Sequence, residues 1–223
     1  GKKGNSLVVG QELSKLNTHL AKKPMTKSEV ITWTGALEEE VKAAFAEHFI
    51  DDDGKILESS QTGYALAFTM DLIPETLKAK AATQFAEEIA RFDNHLATGF
   101  IGTPRLLPAL AEAGKIDLAY QLLMNTDYPS WLFQVTQGAT TMWERWDGWT
   151  PEEGFQDPGM NSFNHYAFGA VGEWLYSTIG GIAPLEPGFS RFEIAPKPGG
   201  GLTYAKTRYD SIHGAIRSEW RID

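Results

Sequence analysis

The sequence predicts a mainly α-helical chain whose helices stand in concentric layers, as in part of an (α/α) toroid, followed by a few antiparallel β-strands. Three observations carry this. Nearly uncharged helical stretches at 61–72 and 161–182 alternate with charged amphipathic ones at 37–50 and 75–92. An inner ring buried on both sides and an outer ring facing water produce that alternation. After Ile182 the composition shifts to the Pro/Gly-rich APLEPGFSRFEIAPKPGGG. Within and beyond it, RFEIAP, LTYAKTRYD and HGAIRSEWRID alternate apolar and polar residues, as half-buried strands do.

The bounds are those of a globular chain. With 223 residues it can bury one core, or one core and a small appendage. Hydrophobic residues make up 42% and exclude a disordered polymer. A net charge of −9 and a pI near 5.1 argue against nucleic acid and anionic membrane surfaces as partners. No apolar run is long enough to span a bilayer, and GKKGNSLVVG does not read as a signal peptide. The sequence does not begin with Met, which leaves processing or truncation open. There is no Cys, hence no disulfide framework and no thiolate ligand or nucleophile. Cytoplasmic, periplasmic and secreted bacterial locations all stay open.

In chain order, residues 1–33 form an edge segment, with a short helix expected at Gln11–Lys23 and interrupted by Pro24. From Gly35 to Ile50 the pattern is helical, with Leu37, Val41, Ala44, Phe45, His48 and Phe49 on one face. Asp51-Asp52-Asp53-Gly54 ends it as a solvated turn; it lacks the spaced ligands and distal Glu of a calcium loop, and no metal is expected. QTGYALAFTMDL (61–72) is a more apolar helix. Pro74 opens the next at its first position, running to Phe92. Further helices are expected at 99–113, 115–124 and 130–137.

The stretch from Gln137 to Ile182 is the chemically distinctive one. Three of the seven Trp, Trp143, Trp146 and Trp149, fall within seven residues, threaded with Glu144, Arg145 and Asp147. Core packing with an ordinary ion-pair network would explain such a turn. A carbohydrate site would too, since sugars stack on indole and bond to charged groups, and paired carboxyl groups cut glycosidic bonds. Charges alternating with Trp favour the site. So does the following stretch, 161–182, which holds one formal charge and reads as a buried helix. Asn161 or Ser162 would cap that helix. Gly169 and Gly172 imply close approach of another backbone, His165 sits in the first turn beside the Trp loop, and Glu173 is a paired structural carboxylate.

These residues also carry a resemblance. GATTMWERWDGW followed by MNSFNHYAFGAVGEWLY resembles the catalytic-domain signature of the glycoside hydrolase family 78 α-L-rhamnosidases. SQTGYALAF, HLATGFIGTPRLLPAL and TDYPSW resemble further segments of that family, in the same order, and the likeness runs from about Leu37 to Trp220. It implies an (α/α)6 barrel followed by an antiparallel β-sandwich. The six or so helices counted here amount to about half such a barrel. The implied division is an edge segment at 1–33, part of the barrel at 34–183 and the start of the β-sandwich domain at 184–223. By the same resemblance the chain is a fragment of an inverting α-L-rhamnosidase acting on a rhamnose-containing glycoside or polysaccharide, without a cofactor. The missing barrel half would come from another segment or chain. Glu144 matches the general base, and His165 matches a histidine that contacts rhamnose. Trp143, Trp146, Arg145 and Asp147 join the candidate substrate-binding set by proximity. Asp147 either orients Arg145 or couples to Glu144 as a like charge. His95 is either at the barrel mouth or a polar turn residue. The family's general acid lies in an acidic, Trp-containing motif that has no match here. The alternatives are a catalytically inactive carbohydrate-binding or interaction module, and a different (α/α) carbohydrate enzyme, which ERWD disfavours.

Overall fold

The computed structural model describes residues 26–57 and 59–222. The helix expected at Gln11–Lys23 lies outside them. Helix α1, Lys27–Phe49, begins well before the helical pattern at Gly35 because Thr26 and Glu29 form a capping box. The Glu29 N–H donates to Thr26 Oγ1 at 3.3 Å, and the Thr26 N–H donates back to Glu29 Oε2 at 2.8 Å. No residue of α1 is buried; Phe45 packs partly on the core. The acidic turn after it is bonded within itself and to Lys80, whose Nζ donates to Asp52 O at 2.6 Å. Asp51 Oδ1 accepts the N–H groups of Asp53 and Lys55 at 3.0 and 2.9 Å.

Helix α2, Gln61–Thr69, is capped by Ser60, whose Oγ accepts the Gly63 N–H at 3.2 Å. It buries Gln61, Tyr64, Ala65, Ala67 and Phe68, the burial expected of an uncharged inner helix. Pro74 does not open the next helix directly. A 3-10 turn at Glu75–Leu77 intervenes before α3, Lys78–Ala90. Helix α4, Thr103–Glu112, starts four residues after Gly99, with a Pro in its first turn. Helices α5, Ile116–Met124, and α6, Trp131–Thr136, follow as expected within a residue.

The stretch 161–182 is not one helix. Residues 161–166 are irregular; a 3-10 turn at Phe168–Ala170, helix α7 at Val171–Trp174 and a π-turn at Leu175–Ile179 follow. Neither Asn161 nor Ser162 is a cap of an α-helix. Gly169 faces only the Met142 side chain, at ordinary contact distance, and Gly172 faces open space, so neither marks a backbone approach. Glu173 is exposed and unpaired among the described residues.

Helix α2 packs on α3 and α4, and α4 on α5 and α7. Tyr64, Phe68 and Phe85 stack at their centre, with Leu106, Leu107, Leu110, Tyr120 and Trp174 completing the core. Packed helices with buried inner faces are part of an (α/α) toroid. Three antiparallel pairs add β-structure. Strands β1, Trp149–Thr150, and β2, Gly154–Phe155, make a small hairpin in the Trp loop. Ile182, expected as a helix end, lies instead in β3, Ile182–Pro184, paired with β4, Phe192–Ile194. Strands β5, Tyr204–Ser211, and β6, Gly214–Arg221, pair along their whole length. The Trp220 indole N–H donates to Ile179 O at 2.7 Å and ties that hairpin to the helical body. Among the described residues no helix is long and apolar enough to cross a membrane.

Candidate active site

The site is built from two chain segments laid side by side. The His165 N–H donates to Met142 O at 2.8 Å, and the Glu144 N–H donates to Ser162 O at 2.8 Å. The Thr141 hydroxyl donates to Phe163 O. The antiparallel pairing of 141–144 with 162–165 explains why the second segment is not helical: its backbone bonds run sideways to the Trp loop. Glu144 closes the pairing twice, because its Oε2 accepts the Ser162 N–H at 2.8 Å. Among the described residues no donor reaches Oε1. The carboxylate is therefore half-buried, fixed by one oxygen and available through the other.

His165 belongs to this segment and not to a first helical turn. Its ring lies on Phe100, centroids 4.8 Å apart and planes 29° apart, and beside Tyr166 at 5.5 Å and 9°. Nδ1 accepts the Ala167 N–H at 3.4 Å, which places the proton of the neutral ring on Nε2. Tyr166 is 87% exposed, so the imidazole sits at a surface and not in the core.

The two indoles nearest Glu144 are packed. Trp146, 8% exposed, stacks flat on Phe168 at 3.8 Å and meets Trp131 edge-on at 5.5 Å. Trp143, 5% exposed, meets Phe163 edge-on at 5.1 Å. Their faces are taken by protein, so they form the floor under the Glu144 segment and leave little indole for a sugar to stack on. Arg145 and Asp147 form a two-point pair, Nε to Oδ1 at 3.1 Å and Nη2 to Oδ2 at 3.4 Å. Asp147 raises the Arg145 guanidinium further above its ordinary range through that bond. Of the two roles open to Asp147, this geometry fits orientation of Arg145. The arginine's carbonyl is anchored from below by buried Gln134, whose Nε2 donates to it at 2.8 Å.

His95 is turned onto its own loop. Its Nδ1 bonds the carbonyls of Asp93 and Phe92 at 2.8 and 3.2 Å, the arrangement of a polar turn residue. The loop itself does reach the site, since it continues to Phe100 under His165. Buried Gln61 holds it there, donating to His95 O at 2.8 Å and accepting the Ala97 N–H at 2.9 Å. Sequence does not single out Phe100, Ser162 or Gln61 as site residues; a Phe expected in a helix at 99–113 and a Ser read as a helix cap carry no signal of the partner they meet.

Surface cavities of about 420, 600, 340 and 540 Å³ are lined by neither Glu144 nor His165. Among the described residues no cluster of His, Asp and Glu is arranged to hold a metal ion.

Comparison with known proteins gives the family. Residues 11–179 match the bacterial alpha-L-rhamnosidase 6 hairpin glycosidase domain, and residues 181–223 match the bacterial alpha-L-rhamnosidase C-terminal domain. An α-L-rhamnosidase of Streptomyces avermitilis is 46% identical over 81% of this chain, and one of Formosa agariphila is 45% identical over 94%. The aligned regions are 18% and 23% of those proteins, so the chain spans about a fifth of the curated relatives it matches. The crystal structure of Streptomyces avermitilis α-L-rhamnosidase complexed with L-rhamnose superposes with a TM-score of 0.81 at 42% identity, covering 94% of this chain and 20% of that one. The chain belongs to the bacterial α-L-rhamnosidase family, with helices α1–α7 and the β1–β2 hairpin in the glycosidase domain and strands β3–β6 in the C-terminal domain.

Proposed function

We propose that this chain carries the general base of an inverting α-L-rhamnosidase, with Glu144 as that base and His165 as a contact to the rhamnose ring. The carrying observation is the Glu144 carboxylate: Oε2 is held by the Ser162 N–H at 2.8 Å, and among the described residues Oε1 has no donor. A carboxylate fixed in this way can activate a water through its free oxygen. In an inverting hydrolysis that water attacks the anomeric carbon from the face opposite the leaving group, and Glu144 takes its proton. A second carboxyl group, about 6.5–9.5 Å from the first, protonates the departing oxygen. We place that acid in a part of the rhamnosidase beyond this sequence, in keeping with relatives of which the chain covers only about a fifth. The substrate is a terminal α-L-rhamnosyl glycoside or polysaccharide. His165, proton on Nε2, offers a donor to a ring hydroxyl, and Arg145, oriented by Asp147, offers a second. Residues 34–183 serve as part of an (α/α)6 barrel and 184–223 as the start of a β-sandwich domain.

The test is hydrolysis of p-nitrophenyl α-L-rhamnoside by the intact protein carrying this chain, with Glu144→Gln compared to the parent. Gln still accepts the Ser162 N–H but takes no proton, so turnover falls about 10²–10⁴-fold. NMR of the parent reaction shows β-L-rhamnose first. A variant at parental rate, or α-L-rhamnose as first product, would overturn the assignment.

A further inference from the structure

Glu144 depends on Ser162, and what holds Ser162 is the residue before it. Asn161 donates from Nδ2 to the Gly148 carbonyl at 2.8 Å and to the Gln156 carbonyl at 3.3 Å. The Gln156 N–H also donates to Gly148 O, at 3.1 Å. One side-chain amide thus joins the start of the 161–165 segment to the two arms of the β1–β2 hairpin that closes the Trp loop. The contact is tight. A Cβ at Gly148 would lie 2.7 Å from Asn161 Oδ1 and 3.4 Å from both the Phe163 and the Trp143 rings.

The two ends of the amide are used unequally. Both donors of Nδ2 have carbonyl acceptors, while Oδ1 is buried with no donor among the described residues. Reversing the amide would set Oδ1 against two carbonyl oxygens, so this orientation is the one the surroundings allow. A buried acceptor without a partner is unfavourable. An Asn kept in spite of it is kept for its donors. The residue that follows gives both its backbone groups to Glu144, the N–H to Oε2 and the carbonyl to the Glu144 N–H.

We propose that Asn161 is a positioning residue for Glu144: its amide locks the 161–165 segment to the Trp loop and so keeps the Ser162 N–H on the base. This rests on the assignment of Glu144 as the base. Asn161 touches neither Glu144 nor, in this role, the sugar. It acts through the backbone of its neighbour.

The experiment is steady-state kinetics of Asn161→Asp in the intact protein, with L-rhamnose affinity by calorimetry. Asp has the same shape and no donor, and it meets two carbonyl oxygens. The expected result is a kcat lowered by about 10²-fold, the scale of a reacting group displaced by around an ångström, with KM and rhamnose affinity within about twofold of the parent. Gln156→Ala, which keeps the carbonyl that Asn161 uses, leaves kcat unchanged. A folded Asn161→Asp enzyme with parental kcat, or one whose loss lies in KM and rhamnose affinity alone, would overturn the proposal. If Asn161→Asp does not fold, Asn161→Ser is read in its place: one hydroxyl donor at smaller volume gives a partial fall in kcat, and an unchanged kcat again overturns the proposal. Glu144→Gln separates the two levels. If that variant turns over normally, the base assignment fails; if it is inactive and the Asn161 variants are normal, only the positioning role fails.

Discussion

Two stretches of this chain look alike on paper, 61–72 and 161–182, each nearly free of charge. The first is a helix with five buried side chains. The second is an extended segment followed by 3-10, α and π turns. Absence of charge reported burial in the first and only in part in the second, where Phe168, Trp174 and Ile182 are buried while Tyr166 and Tyr176 are exposed. It did not report conformation. The difference lies in where the backbone groups go. In the first, Ser60 caps the opening turn and the bonds run along the helix. In the second, the N–H groups of Ser162 and His165 are drawn sideways to Glu144 and Met142. The helical stretch acts as scaffold, and the extended one as the mount of the base.

The comparison is sharpened most by removing what stabilises the second stretch. Trp146 stacks on Phe168, and Phe168 O accepts the Trp131 indole N–H at 2.9 Å, so 141–146 and 162–170 are joined by aromatic packing. Trp146→Ala should cost about 3–5 kcal/mol of local stability. Hydrogen exchange in the intact protein should show lost protection in both segments, with α2 unaffected. Equal loss in α2 would mean the two stretches are one unit. A smaller effect comes from Gln61, which links the helical stretch to the loop bearing Phe100. Gln61→Ala leaves His95 O and Ala97 N–H without partners, at about 1–3 kcal/mol. Faster exchange is expected at Ala97 while the Glu144–Ser162 pairing stays protected. The smallest comes from Ser60→Ala, which removes the α2 cap for ~1 kcal/mol. It should speed exchange at Gly63 alone, leaving rhamnoside hydrolysis unchanged.

The helices were legible because their main signal, the helical spacing of apolar residues, is local. The β-hairpin 204–221 was legible from its alternation. Glu144 and His165 stood out by their place in and beside the Trp cluster, but their roles as base and sugar contact came only from resemblance to a family motif. Their surroundings were hidden for a physical reason. Ser162 and Asn161 look like caps, and a capping residue and a cross-segment hydrogen-bond donor are chemically the same side chain or backbone group. Only the fold decides which partner it meets. Phe100 lies sixty-five residues from His165 in sequence, and a Phe expected inside a helix at 99–113 does not announce that imidazole. The Trp cluster misled in part, because Trp143 and Trp146 are packed and nearly inaccessible.

The most direct test is a crystal structure of the intact protein with L-rhamnose bound. The expected result is a sugar whose anomeric carbon is one water away from Glu144 Oε1, with a ring hydroxyl on His165. A second surface offers the opposite outcome: the roughly 600 Å³ groove lined by Tyr176, Phe189, Tyr209 and Glu173. Rhamnose in that groove, with no sugar at Glu144, would contradict the assignment of the base.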